Sequence, residues 1–394
     1  MNTKFYYIGL FIVIVGCTHT TNVKNERKGK LTAKYQLVVG SEKRIWLDYE
    51  TAPQPPFMQM VTGNNGNQIL TFFNRYKYSI YLYDYEKDSY IGKIKYEREG
   101  PNGINYFGGY YIKNMDSVYV YNRLLDFVLT DSSGIVKKRI SLNSENMDWA
   151  LYHPLYEIKT INPMVERKGK LVLSGMAPFS VADSLIRKFR FTTCVDFKSN
   201  SLEYIHTYPE ELYGFDANWQ DPFYTQPYLA FSPNGEWLYS FPVSHNLYIA
   251  NEDTEGYQTV YAGSNVAGTI SSIIDGKIRT DNETILTNIL QQDLYTAILH
   301  DKWRSVYYRF MLQGIPDATV KNNLTEKPIV VIIMDEKFNY LGETVIGTGK
   351  EWNYTNSFVT TEGLVMEYID QGMDFDEQYL ILKTFILKGL KDKE

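Results

Sequence analysis

From Lys34 onward the chain alternates apolar and polar positions over short runs, and Gly, Asn, Asp and Ser break the runs. Period-two alternation rich in Tyr, Phe, Ile and Val predicts strands, because successive side chains on a strand face opposite sides of its sheet. Residues 69–74 (ILTFFN), 79–84 (SIYLYD) and 90–95 form one group; residues 118–122 (VYVYN), 127–131 (FVLTD) and 135–141 form a second. The three- and four-residue spacing of an amphipathic helix is scarce. Residues 282–299, around ETILTNILQQDLYTAIL, carry it best and predict a helix.

The two strand groups repeat each other. Phe73-Asn74-Arg75 precedes a strand that closes on Asp84, and Tyr121-Asn122-Arg123 precedes one that closes on Asp131, 47 residues on. Asp196, Asn251 and Asp335 close strands in the same manner, at further steps of 65, 55 and 84 residues. A four-stranded propeller blade takes about 40–50 residues, so the longer steps require insertions and the longest has room for another blade. About twenty-six strands are predicted, which at four per blade makes six or seven blades. The last runs, residues 356–360, 364–369 and 379–387, supply only three strands. A strand at residues 35–39 supplies the fourth and closes the ring, which removes the exposed sheet edge. The expected fold is all-β: a β-propeller of six blades, with seven as the alternative, closed by an N-terminal strand. A pair of β-sandwiches competes, but the repeated Asn-Arg and strand-Asp features favour radial repetition.

Upstream of the strands the pattern changes. Residues 5–15 (FYYIGLFIVIV) are an unbroken apolar run behind the basic Lys4. The run is too short to span a bilayer as a helix, which takes about 20 residues, but it suits the core of an export signal. It ends in Ile14-Val15-Gly16-Cys17. An aliphatic residue, a small residue and then Cys resembles the lipobox of bacterial lipoproteins. The resemblance implies cleavage before Cys17, diacylation of its thiol and stable anchoring to the lipid bilayer by more than one chain. The expected organisation is a lipoprotein signal peptide at 1–16, a flexible tether at 17–32 and a propeller domain at 33–394. Surface-exported lipoproteins of Bacteroidota resemble one another in an acidic pair just after the Cys, and none follows Cys17. The expected location is therefore the outer membrane, facing the periplasm rather than the cell surface. With Cys17 acylated, Cys194 is the only other cysteine, so no intrachain disulfide is expected and Cys194 reads as a small buried hydrophobe.

Composition narrows the classes. Of 394 residues, 34 are Tyr, 20 Phe and 6 Trp, and 22% are charged, which excludes intrinsic disorder. The net charge of −6 argues against a nucleic-acid partner. Most of the aromatic residues lie in strand runs and read as sheet packing.

Three segments resemble a known family. They are Arg98-Glu99-Gly100-Pro101-Asn102-Gly103, Ala230-Phe231-Ser232-Pro233-Asn234-Gly235, and residues 301–310 (DKWRSVYYRF). The second is similar to a turn common in propeller blades, with Asn in place of Asp. Together they resemble the six-bladed, TolB-like propeller lipoproteins of Bacteroidota, a branch of which is defined only as a domain of unknown function. The resemblance covers most of the mature chain and implies a fold more than an activity.

No metalloprotease, nucleophile-elbow, CxxC or P-loop motif is present, and Gly347-Thr348-Gly349 lacks the third glycine of a dinucleotide fingerprint. His19, His153, His206, His245 and His300 do not pair at metal-ligand spacing, so neither a metal nor a cofactor is expected. The carboxylates of residues 370–377 read as a solvated hairpin rather than a calcium loop. Arg75 and Arg123 occupy equivalent turns of successive repeats, and equivalent turns of a propeller share a face, where guanidiniums can hold a carboxylate, sulfate or uronate. Long inter-strand loops carry His153, Trp219, Asp221, Phe223 and Tyr224, and loops on a rigid scaffold are where binding residues concentrate. The expectation is a membrane-anchored propeller that binds an envelope protein, peptide or glycan through these seven residues, without catalysis. The alternative is a carbohydrate-active hydrolase or lyase with acids converging in the propeller funnel.

Overall fold

The computed structural model describes residues 21–63, 65–123, 125–142, 154–177, 186–214, 219, 221–251, 256–273, 281–369 and 378–390. Among them, six four-stranded antiparallel sheets follow one another as the blades of a propeller. Blade 1 spans residues 59–95, blade 2 107–141, blade 3 165–207, blade 4 228–261 and blade 5 294–348. Each is a meander in which strands pair with their sequence neighbours. Blade 6 is composite: Trp352–Val359, Leu364–Tyr368 and Tyr379–Gly389 take Tyr35–Trp46 as their outermost strand. The register runs from Tyr35↔Gly389 to Trp46↔Tyr379, with a bulge between Val39 and Glu42. The ring closes by the N-terminal strand, as the repeat arithmetic predicts, and it has six blades. The 84-residue step holds no seventh; it holds the connection between blades 4 and 5 and the turn that spans residues 313–327.

The recurring strand-closing carboxylates have a mechanical reason. Asp84 Oδ1 accepts the backbone N–H of Glu86 and Lys87 at 3.1 and 3.0 Å. Asp131 Oδ1 accepts those of Ser133 and Ile135 at 2.9 and 3.2 Å, and Asp335 Oδ1 those of Lys337 and Asn339 at 2.9 and 2.8 Å. Each is a side-chain turn that folds the third strand of a blade onto the fourth. All these turns therefore lie on one face of the disc, here the hairpin face. The blade-to-blade connections lie on the other, the connection face.

Two expectations change. The helix expected over 282–299 runs only Asn282–Gln291. Asp281 caps its start through the Thr284 N–H, and Gln292 ends it in extended backbone. Leu294–Asp301 becomes the innermost strand of blade 5, with its first five residues all buried. A strand buried on both faces loses its period-two signature and cannot be told from a helix by spacing. The second change concerns the tether: from Thr21 to Leu31 that segment is docked on the propeller, with Asn22–Val23 paired to Ile270–Ser271.

Apolar side chains fill the interfaces between blades. Phe73 of blade 1 stacks flat on Phe107 at the edge of blade 2, ring centroids 3.8 Å apart. Tyrosine hydroxyls reach threonines of the preceding blade: Tyr110 to Thr71 at 2.7 Å and Tyr239 to Thr192 at 2.8 Å. The ring supplies buried apolar area while the hydroxyl is satisfied, which suits Tyr to a blade interface. Cys194 is buried in blade 3 and is in no disulfide among the described residues.

The connection between blades 2 and 3 crosses to the far side of the ring. Thr160 Oγ1 accepts the Met58 N–H at 2.9 Å and bonds Asn356 Oδ1 of blade 6 at 3.0 Å. The Asn356 amide donates to Pro55 O at 2.9 Å and to Glu367 at 2.6 Å, and Asn353 donates to the same carboxyl oxygen at 2.7 Å. Burial pushes the Glu367 carboxyl up to about 7, against the pull of the two amides.

Candidate functional site

The structure separates the seven ligand candidates. Arg75 and Arg123 sit at equivalent exposed turns on the connection face, as the repeat implies. Neither lines any of five cavities among the described residues, the cleft between blades 3 and 4 included. Trp219 is only 4% exposed, and its indole N–H donates to Leu212 O at 2.6 Å. Its ring packs on Tyr224 at 5.2 Å, and the fully buried Tyr224 hydroxyl bonds Asn288. These two rings fasten the connection between blades 3 and 4 to the helix ahead of blade 5; a buried ring with a spent donor is a packing element. Asp221 accepts the Phe223 N–H at 2.9 Å as the cap of a single helical turn, and burial raises its carboxyl above the usual range. Phe223 is half exposed. His153 lies outside the described residues, as does the acidic hairpin of residues 370–377.

A cavity of about 830 Å³ lies elsewhere, in the outer cleft between blades 3 and 4. Its floor is the face of blade 3 that carries Val172, Cys194 and Ile205, and its far wall is Trp237 and Tyr257 of blade 4. The Tyr257 hydroxyl donates to Thr207 O at 2.6 Å and bridges the two blades. Cations enter from both ends. At the hairpin face, Lys168 and Gly169 both have positive φ, 48° and 80°, and make the tight two-residue turn that presents Arg167, Lys168 and Lys170. At the connection face, Arg187 and Lys188 precede the third strand of the blade and Arg190 begins it. Among the described lining residues the only acid is Glu203, which pairs with Lys170 at 2.8 Å. That bond raises the ammonium above its ordinary range. Glu252, Asp253 and Glu255 follow Asn251 in the sequence and lie outside the described residues.

Geometry inside the cleft is tightly specified. The Arg167 guanidinium lies over the rings of Phe231 and Trp237, 4.5 and 4.8 Å from their centroids, and donates to Gly235 O. His206, the second-last residue of the strand Ser201–Thr207, holds φ of +58°, uncommon for a residue with a side chain. Its Nδ1 meets the Tyr239 hydroxyl at 2.7 Å, and its ring stands edge-on to Trp237 at 5.2 Å. The Trp237 indole Nε1 is buried and has no hydrogen-bond partner among the described residues.

Sequence reasoning passed over this cleft. The signal was present in Arg167-Lys168-Gly169-Lys170 and Arg187-Lys188-Phe189-Arg190, two basic clusters separated by one hairpin. Neither is remarkable alone; the pairing of Leu171–Ser174 with Thr192–Val195 brings them to one wall. Among the described residues no group of His, Cys, Asp and Glu is placed to hold a metal ion. No described helix is long and apolar enough to cross a membrane.

Known proteins agree with the architecture. A crystal structure of a DUF4221 family member from Bacteroides vulgatus is similar over 91% of this chain and 100% of its own, with a TM-score of 0.79 at 18% identity. A Bacteroides fragilis protein, named as a candidate exported protein, is similar over 90% of this chain and 96% of its own, with a TM-score of 0.55 at 10% identity. At such identities the likeness speaks for the fold alone. No curated protein matches the chain in sequence. The sequence profile described as "Domain of unknown function (DUF4221)" matches residues 34–345, most of the propeller, and the chain belongs to that family.

Proposed function

We propose that the protein is a lipid-anchored envelope lipoprotein whose propeller binds a carboxylate-bearing partner in the cleft between blades 3 and 4, without catalysis. The cleft carries this reading: six cations and one already-paired acid line it among the described residues, in a chain whose net charge is −6. Arg presents a planar fork that matches a carboxylate, and Lys adds a compact charge. A uronate-bearing glycan fragment or an acidic peptide segment of the envelope has the matching chemistry. The hydrolase or lyase alternative needs acids that reach a substrate in the funnel. Glu367 is 2% exposed and held by two amides, and Glu157 pairs with Lys159 at 2.9 Å, so neither supports it.

Calorimetric titration of the mature chain tests the reading, with galacturonate oligomers, an oligoglutamate peptide and a neutral oligosaccharide of equal length as ligands. At least one acidic ligand binds at micromolar Kd while the neutral one does not. Lys188→Glu with Arg190→Glu weakens binding at least about tenfold, or 1.4 kcal/mol. Absence of binding by both acidic ligands, or indifference to the charge reversal, refutes the proposal.

A further inference from the structure

Residues 21–34 form a strap over the rim of blades 4 and 5. The Thr21 N–H donates to Ser272 Oγ at 2.9 Å. Asn22 and Val23 pair with Ser271 and Ile270. His245 Nε2 lies 3.2 Å from Val23 O, and its Nδ1 lies 2.8 Å from the Tyr295 hydroxyl. Burial pulls the imidazole down to about 4, so it is neutral at physiological pH. The Tyr295 oxygen already accepts the Ser264 N–H at 3.0 Å. Val23 O can only accept, so the neutral ring carries its proton on Nε2 and donates it to the strap, and Nδ1 accepts from the Tyr295 hydroxyl. Asn25 is the central peg: its amide donates to Ser264 O and Ala267 O at 2.8 and 3.0 Å, and its Oδ1 accepts the Tyr261 hydroxyl at 2.8 Å. Further on, Leu31 N–H donates to Asn265 Oδ1 at 2.9 Å and Lys34 N–H to Leu341 O at 2.7 Å. The segment is thus bonded to the connection between blades 4 and 5, and then to the outer strand of blade 5, before it enters the closing strand.

The strap also carries charge. Lys24, Arg27, Lys28 and Lys30 are exposed along it, against the single acid Glu26. Arg27 lies over the Tyr261 ring at 4.7 Å, and the Lys30 ammonium donates to Glu26 O at 2.9 Å. The cations are therefore displayed on a fixed ribbon rather than a loose chain.

We propose that this strap is a membrane mount, holding the rim of blades 4 and 5 against the anionic headgroups of the bilayer in which Cys17 is anchored. The inference rests on the lipoprotein reading above. Only Thr18, His19 and Thr20 separate Cys17 from the first docked residue. Four residue steps reach at most about 14 Å, so an acylated Cys17 leaves the rim no room to swing away from the headgroups. An acyl anchor beside a basic patch is the two-signal arrangement that gives stable attachment. The docked strap sets one orientation for the whole propeller, because the ring is closed and rigid.

The experiment uses the full chain, expressed with its leader and purified in detergent. Intact mass spectrometry reads the modification of Cys17 and tests the underlying lipoprotein reading by itself. Glu26→Cys, on the strap, and Lys87→Cys, on the hairpin face of blade 1, are then labelled with a fluorophore in phosphatidylglycerol-containing nanodiscs with headgroup-quenching lipids. Quenching at least threefold stronger at position 26 than at 87 is expected; equal quenching overturns the fixed mount. Separately, Cys17→Ser protein is cosedimented with phosphatidylglycerol or phosphatidylcholine vesicles. Salt-sensitive preference for the anionic vesicles is expected, with about tenfold loss when Lys24, Arg27, Lys28 and Lys30 are all changed to Gln. No preference overturns the headgroup contact, whether or not Cys17 is acylated.

Discussion

Two adjacent blade interfaces treat cations in opposite ways. Between blades 4 and 5, Arg309 is 0% exposed and, among the described residues, forms no ion pair with a carboxylate. Its guanidinium donates to Ser240 Oγ at 2.9 Å, His245 O at 3.2 Å, Ala262 O at 3.1 Å and Ser244 O at 2.8 Å, and covers the Tyr295 ring at 4.0 Å. Burial lowers it to about 10, still protonated at neutral pH. Between blades 3 and 4, Lys188 and Arg190 stand exposed at the mouth of a cavity. A guanidinium whose donors are spent on turn carbonyls acts as a rivet; Lys188 and Arg190 open onto a cleft that a ligand can enter.

The strongest test of that contrast is the rivet. Arg309→Met removes the donor set for three carbonyls and a hydroxyl inside a dry interface. Unfolding free energy in urea falls by about 3–5 kcal/mol, because four buried acceptors lose a charged donor at once. A loss under about 1 kcal/mol would show that the interface holds without it.

Glu367 extends the contrast to acids. Its carboxyl is raised to about 7 in the fold, so between about pH 4.5 and 7 the folded state holds a proton that the unfolded chain has released. That contribution to stability is present at low pH and is lost as pH rises through this window. Glu367→Gln, neutral throughout, escapes the loss. Relative to the wild-type chain, it gains on the order of 2–3 kcal/mol between pH 4.5 and pH 8. Parallel denaturation curves for the two proteins at both pH values read the difference, and a constant offset would contradict the assignment.

The cleft cations sit at the other extreme. Lys188→Glu with Arg190→Glu, which costs at least about 1.4 kcal/mol in acidic-ligand binding, leaves stability within about 0.5 kcal/mol, as exposed substitutions usually do. A large stability loss would place these residues with Arg309 as structural. The smallest effect is expected at Trp219→Phe, which forfeits one hydrogen bond to Leu212 O, worth about 1 kcal/mol of stability. Affinity for the acidic ligand stays unchanged, and a change would return the loop aromatics to the binding surface.

What the sequence determined by itself is the repeat. Alternation, turn residues and strand-closing carboxylates specify four-stranded blades, because an Asp at a strand end folds its own hairpin whatever surrounds it. The closing strand at Tyr35 was legible because the last blade lacked a fourth member. Where a strand is buried on both faces, as in Leu294–Asp301, local pattern no longer distinguishes it from a helix, and only packing in blade 5 decides. The site was decided by tertiary structure too. Trp219 and Tyr224 look available in a loop until Leu212 O and Asn288 take up their polar atoms, and Arg167 and Arg190 look ordinary until the sheet register sets them on one wall. Likewise, residues 17–32 read as a flexible tether, since nothing local reveals that Asn25 will meet the carbonyls of Ser264 and Ala267, some 240 residues away. Local chemistry fixes what each element is; which side chains remain exposed to a ligand or a membrane depends on which distant surfaces come to cover the others.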